Sequence, residues 1–171
     1  DVYKRQMDAG VDGVVFCDDL GTKQSLLISP TMYRDLIKPW HVKICDLVHA
    51  RGGSVHLHSH GAIQPILNDF NKCGFDFINP FDPEEGHHIE DILTWPDRKF
   101  VAVGGFPTSF WGWDWPQQKE HLEKMGKLAK KYGRYMFMDS GGVPDHVTKD
   151  AFDRINACSR EVRGFREDVF C

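Results

Sequence analysis

The sequence has no Cys-x-x-Cys, and its five cysteines, Cys17, Cys45, Cys73, Cys158 and Cys171, are scattered and odd in number. That excludes a disulfide-dense secreted scaffold and points to a reducing cytoplasm. No apolar run approaches the roughly 20 residues that span a bilayer. No basic-then-apolar leader opens the chain, so neither secretion nor membrane insertion is expected. Basic runs are absent, and a net charge of −4 argues against nucleic acid as a partner. A Gly-x-Gly-x-x-Gly fingerprint is also missing, so nothing speaks for a dinucleotide site.

What remains is an ordinary globular composition: 171 residues, 41% hydrophobic and 27% charged, enough for one domain or a piece of a larger one. Residues 1–6 carry no pattern and read as a non-native leader. Ala9-Gly10 reads as the end of a helix whose body is missing. The domain is therefore placed at 7–171. Within it a strand–loop–helix cycle repeats five times. Strands are expected at 11–17, 54–58, 75–78, 100–103 and 135–138. Ser29-Pro30 opens the first helix as N-cap and first-turn proline, with a kink at Pro39. Later helices are expected near 63–73, 89–95, 116–132 and 148–163, the first of these with Ile63, Ile66, Leu67 and Phe70 as its apolar stripe.

Strands alternating with helices imply parallel pairing and right-handed crossovers. Polar residues and glycines gather at the strand C-terminal ends: Asp18 and Asp19; His58, Ser59 and His60; Asn79; Gly104-Gly105; Asp139 and Ser140. Active sites of (β/α)8 barrels are built there, so the expected fold is an α/β (β/α)8 TIM barrel. It is incomplete, holding about the last five βα units. An open parallel edge then calls for a covering partner, and a homodimer is one form that could take.

Val55-His-Leu-His-Ser-His-Gly61 is the most informative stretch. With a side-chain period of two, His56, His58 and His60 share a face if the strand extends that far. His58 and His60 are then candidate metal ligands; solvated histidines at a strand end are the competing reading. Asp18, Asp19 and Asp139 are candidate catalytic carboxylates. At most one of the adjacent pair is expected to face the barrel axis. Ser140, Gly141 and Gly142, where backbone can approach a ligand closely, are candidates for cofactor binding together with Asn79, for which loop geometry is the alternative. His87-His88 are expected to be exposed, and His41, His49, His121 and His146 receive no role. The aromatic cluster at 110–115 reads equally as a lid or as a plug.

The blocks Gly10-Val-Asp-Gly-Val-Val-Phe-Cys-Asp-Asp-Leu-Gly21, Ile28-Ser-Pro-Thr-Met-Tyr33, Val55-His-Leu-His-Ser-His-Gly61, Gly74-Phe-Asp-Phe-Ile-Asn-Pro80, Val103-Gly-Gly105 and Met138-Asp-Ser-Gly-Gly-Val-Pro144 resemble, in this order, the second half of the uroporphyrinogen decarboxylase superfamily. The resemblance implies the barrel fold and a small-molecule substrate. The decarboxylase proper, an enzyme of porphyrin and heme biosynthesis, needs no cofactor and carries basic groups for substrate carboxylates. Its late histidine corresponds to a glycine here. The zinc methyltransferases of the superfamily, which move methyl groups between a corrinoid protein and a thiol, have His-x-Cys at the matching strand end. His58-Ser59-His60 keeps that spacing with His60 in place of the cysteine. The family's distant cysteine falls at Gly141 or Gly142. The resemblance therefore implies zinc held by His58, His60 and, as the most natural third ligand, Asp139, with Asp18, Asp19 and Cys17 as alternatives. It also implies a corrinoid methyl carrier. Metal-assisted hydrolysis and a non-catalytic binding barrel are the remaining readings.

Overall fold

The computed structural model describes residues 2–164. Its centre is one parallel sheet of five strands, β1 (Gly13–Cys17), β2 (Ser54–His58), β3 (Phe77–Phe81), β4 (Val101–Gly105) and β5 (Tyr135–Met138), in the order β1-β2-β3-β4-β5. Each strand lies beside its predecessor. A doubly wound sheet would reverse direction at a switch point; this one never does, which is the winding of a barrel wall. The fold is a partial TIM barrel.

Seven α-helical segments accompany the sheet: α1 (Val2–Asp8), α2 (Pro30–Met32), α3 (Lys38–His49), α4 (Leu67–Cys73), α5 (Ile89–Thr94), α6 (Trp115–Tyr132) and α7 (Lys149–Arg163). Their ends follow the chemistry of the sequence. The Ser29 hydroxyl accepts from the Met32 N–H. Asp114 and Gln117 form a reciprocal capping box at α6, and Thr148 caps α7, each satisfying otherwise orphaned N–H groups. Between α2 and α3 the chain widens into a π turn at Tyr33–Ile37, closed by Lys38 N–H to the Tyr33 carbonyl. The expected kink takes this form because Pro39 would crowd the carbonyl of Asp35 in a regular helix. Ile63, Ile66, Leu67 and Phe70 are all buried as their spacing predicts, and Gly74 ends α4 in the left-handed region at φ +95°.

Alternation fixes two faces. Val14 and Phe16, Val55 and Leu57, Ile78, Tyr135 and Phe137 are buried on the helix side. Their neighbours face the barrel interior, where Val15 (63%), Met136 (51%) and Met138 (37%) are exposed. The register aligns Val15, His56, Phe77 and Val101 in one interior layer, with Cys17, His58 and Asn79 in the next.

Three expectations are corrected. Residues 2–8 form α1, which supplies the body of the helix whose end is read at Ala9-Gly10. Tyr3 packs on Phe16 with ring centroids 5.9 Å apart, and Asp8 pairs with Arg51 at 3.0 Å. Asn79-Pro80-Phe81, expected as a loop, continues β3 across an irregular register. Gly104-Gly105 likewise belongs to β4, where Gly104 lets the Phe81 backbone approach: a Cβ there would lie 2.4 Å from the Phe81 nitrogen.

Candidate active site at the barrel mouth

Two loops meet at the C-terminal end of β2. Gly61 and Gly21 are in backbone contact so close that a Cβ on Gly61 would sit 2.2 Å from the Gly21 carbonyl carbon. The Ala62 N–H donates to the Thr22 carbonyl at 2.8 Å. A third loop, after β3, grips this pair. The Glu85 carboxylate accepts from His60 Nδ1 and from the Gly61 N–H, both at 2.9 Å. The His87 Nε2–H donates to the Gly61 carbonyl at 2.9 Å. The Gly61 peptide is therefore held on both sides.

The adjacent acids divide between the two faces. Asp18 has the parity of Val14 and Phe16 and turns to the helix side. There its Oδ2 lies 3.0 Å from His41 Nε2, and His41 Nδ1 lies 3.0 Å from the Tyr33 hydroxyl. Both rings are buried, and burial drives the Tyr33 phenol far above its ordinary range. Asp19 turns to the mouth. Its Oδ1 accepts from the His60 backbone N–H at 2.9 Å and lies 4.0 Å from His58 Nε2. The His58 and His60 rings are 4.9 Å apart, edge to face, and both side chains are partly open, at 27% and 30% exposure. Thus Asp19, His58 and His60, with Glu85 behind them, form one cluster. Asn79 joins His58 in register on the same face and is buried, its side chain against His56. His56 lies one layer deeper against Phe77, and burial lowers its pKa.

Asp139 is not brought to the histidines. It follows β5, three strand spacings from β2, or about 14 Å across the sheet. It also shares the parity of Tyr135 and Phe137, which face the helices. It lines a cavity of about 220 Å³ with Phe152, Arg160 and Arg163. Ser140 is committed elsewhere, donating to the Phe106 carbonyl at 2.6 Å. A Cβ on Gly141 would meet Thr108 at 3.3 Å, so this glycine lets two loops pack. Beside Gly142, at φ +79°, space is open. In the aromatic cluster Phe110 is buried, 4.5 Å from the Phe106 ring, while Trp111, Trp113 and Trp115 are half-buried.

Catalytic zinc takes three protein ligands with an open position. Here two imidazoles are available, both oxygens of Glu85 are engaged, and Asp139 is on another face. Among the described residues no group of three or more His, Cys, Asp or Glu could hold a metal ion. The side chains of this chain do not assemble the expected His58–His60–Asp139 site.

Several contributors escaped the sequence reading. Glu85, which holds His60 and Gly61, carries no motif in the sequence. His87, expected at the surface, is buried, and burial lowers its pKa. His41, given no role, anchors Asp18. His121, likewise unassigned, lies 2.9 Å from the Gly105 carbonyl, its pKa also lowered by burial. The one available signal was the acidic loop's position after β3, one strand along from the histidines.

Several basic side chains of the described residues are engaged away from the histidines. Lys23 pairs with Glu84 at 3.5 Å. Arg98, ahead of β4, donates to the carbonyls of Phe100 and Arg134 at 2.7 Å. Arg34 and Lys38 hold Asp69 behind the sheet. No helix among the described residues is long and apolar enough to cross a membrane.

Comparison with curated protein sequences finds no match. A family model does match, that of uroporphyrinogen decarboxylase (URO-D), over residues 1–157. With most of the chain matched and the strands wound as that barrel requires, the chain belongs to the URO-D family.

Proposed function

We propose that this chain forms one wall of a cytoplasmic URO-D-family enzyme of the methyltransferase-like branch, acting on a small thiol or similar acceptor. The observation that carries the reading is the makeup of the mouth: two imidazoles backed by two carboxylates, with Lys23 of the β1 loop paired to Glu84. A tetrapyrrole bearing several carboxylates would meet like charge there. An acceptor that must lose a proton before taking a methyl group meets a base.

His58 is the group placed to accept that proton. It faces the interior and is partly open, and Asp19 stands 4.0 Å from its Nε2, near enough to stabilise an imidazolium as it forms. His60 shares the mouth, its Nδ1 engaged by Glu85. Asn79 lies in the same layer, its amide against His56. A corrinoid protein, as methyl donor and partner, would supply the methyl group. Among the described residues no third ligand completes a zinc site with His58 and His60, and no step is assigned to zinc.

The decarboxylase is the second reading. What favours it is the pair Arg160 and Arg163 beside Asp139. Their cavity, however, lies between β5 and α7, on the side of Phe137, not in the barrel interior. The test is methyl transfer from a methylated corrinoid to a thiol by the intact protein. Wild type should turn over, and His58→Ala should lower kcat by about 10²–10⁴ as loss of a general base does. Equal rates in both would remove His58 from the chemistry; no transfer by wild type with any corrinoid donor would refute the reading.

A further inference from the structure

We infer that Glu85 is a positioning residue that fixes His60 as its Nδ1–H tautomer and so turns a bare Nε2 toward the mouth. The inference deepens the proposed function, resting on it only in treating the mouth as the reactive end.

A neutral imidazole carries one proton, and which nitrogen holds it is set by the partner of the other. A carboxylate only accepts hydrogen bonds. Glu85 Oε1 lies 2.9 Å from His60 Nδ1, so the proton sits on Nδ1 and the lone pair is left on Nε2. Glu85 cannot easily turn away. Its side chain is 8% exposed, its Oε2 is engaged by the Gly61 N–H at 2.9 Å, and its carbonyl accepts from Gln64 at 3.2 Å. His60 cannot easily swing either. Its own N–H is bonded to Asp19, and the next peptide is held by Glu85 and His87. Acceptor and ring are thus both fixed by groups outside the pair, which distinguishes this contact from a chance surface ion pair.

An untethered histidine in water favours the opposite tautomer, with the proton on Nε2. That form would present a donor to the mouth instead of an acceptor. Glu85 therefore decides whether His60 can take a proton or coordinate an electrophilic ligand, without itself reaching the substrate.

Long-range ¹H–¹⁵N correlation spectra of the intact protein, labelled at histidine and recorded at mildly alkaline pH, test this directly. Loss of a ring system in His60→Gln assigns the residue. In wild type, His60 should show a protonated Nδ1 and a bare Nε2. In Glu85→Ala it should shift to the pattern with Nε2 protonated, while His87, which donates through Nε2, keeps its own. A wild-type His60 protonated at Nε2 would overturn the inference whether or not Glu85→Ala folds. So would an unchanged His60 pattern in a folded Glu85→Ala. The tautomer can be as stated while methyl transfer fails, in which case only the proposed reaction is lost.

Discussion

The ends of β2 and β5 look alike in sequence and differ in construction. Each carries polar residues followed by glycine: His58-Ser59-His60-Gly61 in one, Asp139-Ser140-Gly141-Gly142 in the other. At β2 the groups are cross-linked. Asp19, Glu85 and His87, from two other loops, bind His60 and Gly61 on every side, and Gly21 closes against Gly61. At β5 only Ser140 is tied down, and Asp139 has no hydrogen-bond partner among the described residues. Preorganised polar groups act without a reorganisation cost when charge develops, and isolated ones do not. The proposed chemistry is placed at β2 on this contrast.

Substitutions can break this contrast, starting with the largest effect. Gly61→Ala adds a Cβ at 2.2 Å from the Gly21 backbone at a position with φ +97°. Steric overlap and left-handed strain together should cost about 3 kcal/mol or more, read by denaturant unfolding. Gly142→Ala, also at positive φ but with open space around it, should cost only the strain, about 1–2 kcal/mol. Glu85→Ala leaves two donors without their acceptor and should cost about 2 kcal/mol in the same assay. Asp139→Ala, by contrast, should stay within about 0.5 kcal/mol. A loss at Asp139 equal to that at Glu85 would erase the distinction between the two ends.

Acid sharpens the picture. Burial lowers the pKa values of His56, His87 and His121 in the folded chain. Below the unfolded value of about 6.5 the unfolded state binds protons that these buried rings refuse. Their stability contribution is therefore complete above that pH and is lost as pH falls through the depressed folded values. The melting temperature should drop between about pH 7 and pH 5. A melting temperature that rises over that interval would contradict the burial of these rings.

The helices were legible because their signals are local. Ser29-Pro30, the Ile63–Phe70 stripe and Gly74 each act within a turn or two. The strand ends were not, for a reason visible in Gly13-Val-Val-Phe-Cys17. This strand is apolar at every position whichever face it turns inward, so no alternation reveals which of Asp18 and Asp19 faces the interior. The structure settles it through His41, 23 residues away. Asp139 was misplaced for the same reason, since Tyr-Met-Phe-Met is apolar at both parities. Glu85 and His87 were missed because they reach the histidines only once β3 lies beside β2. The barrel itself was readable because it depends on the order of elements, not on the direction of any one side chain.

The proposed function requires a mouth suited to imidazole–carboxylate chemistry and unsuited to a polyanion. Incubating the intact protein with uroporphyrinogen under anaerobic conditions, and following loss of the acetate-derived carboxyl groups by chromatography of the products, tests it most directly. No decarboxylation above the rate without protein is expected. Catalytic conversion to the decarboxylated porphyrinogen would contradict it.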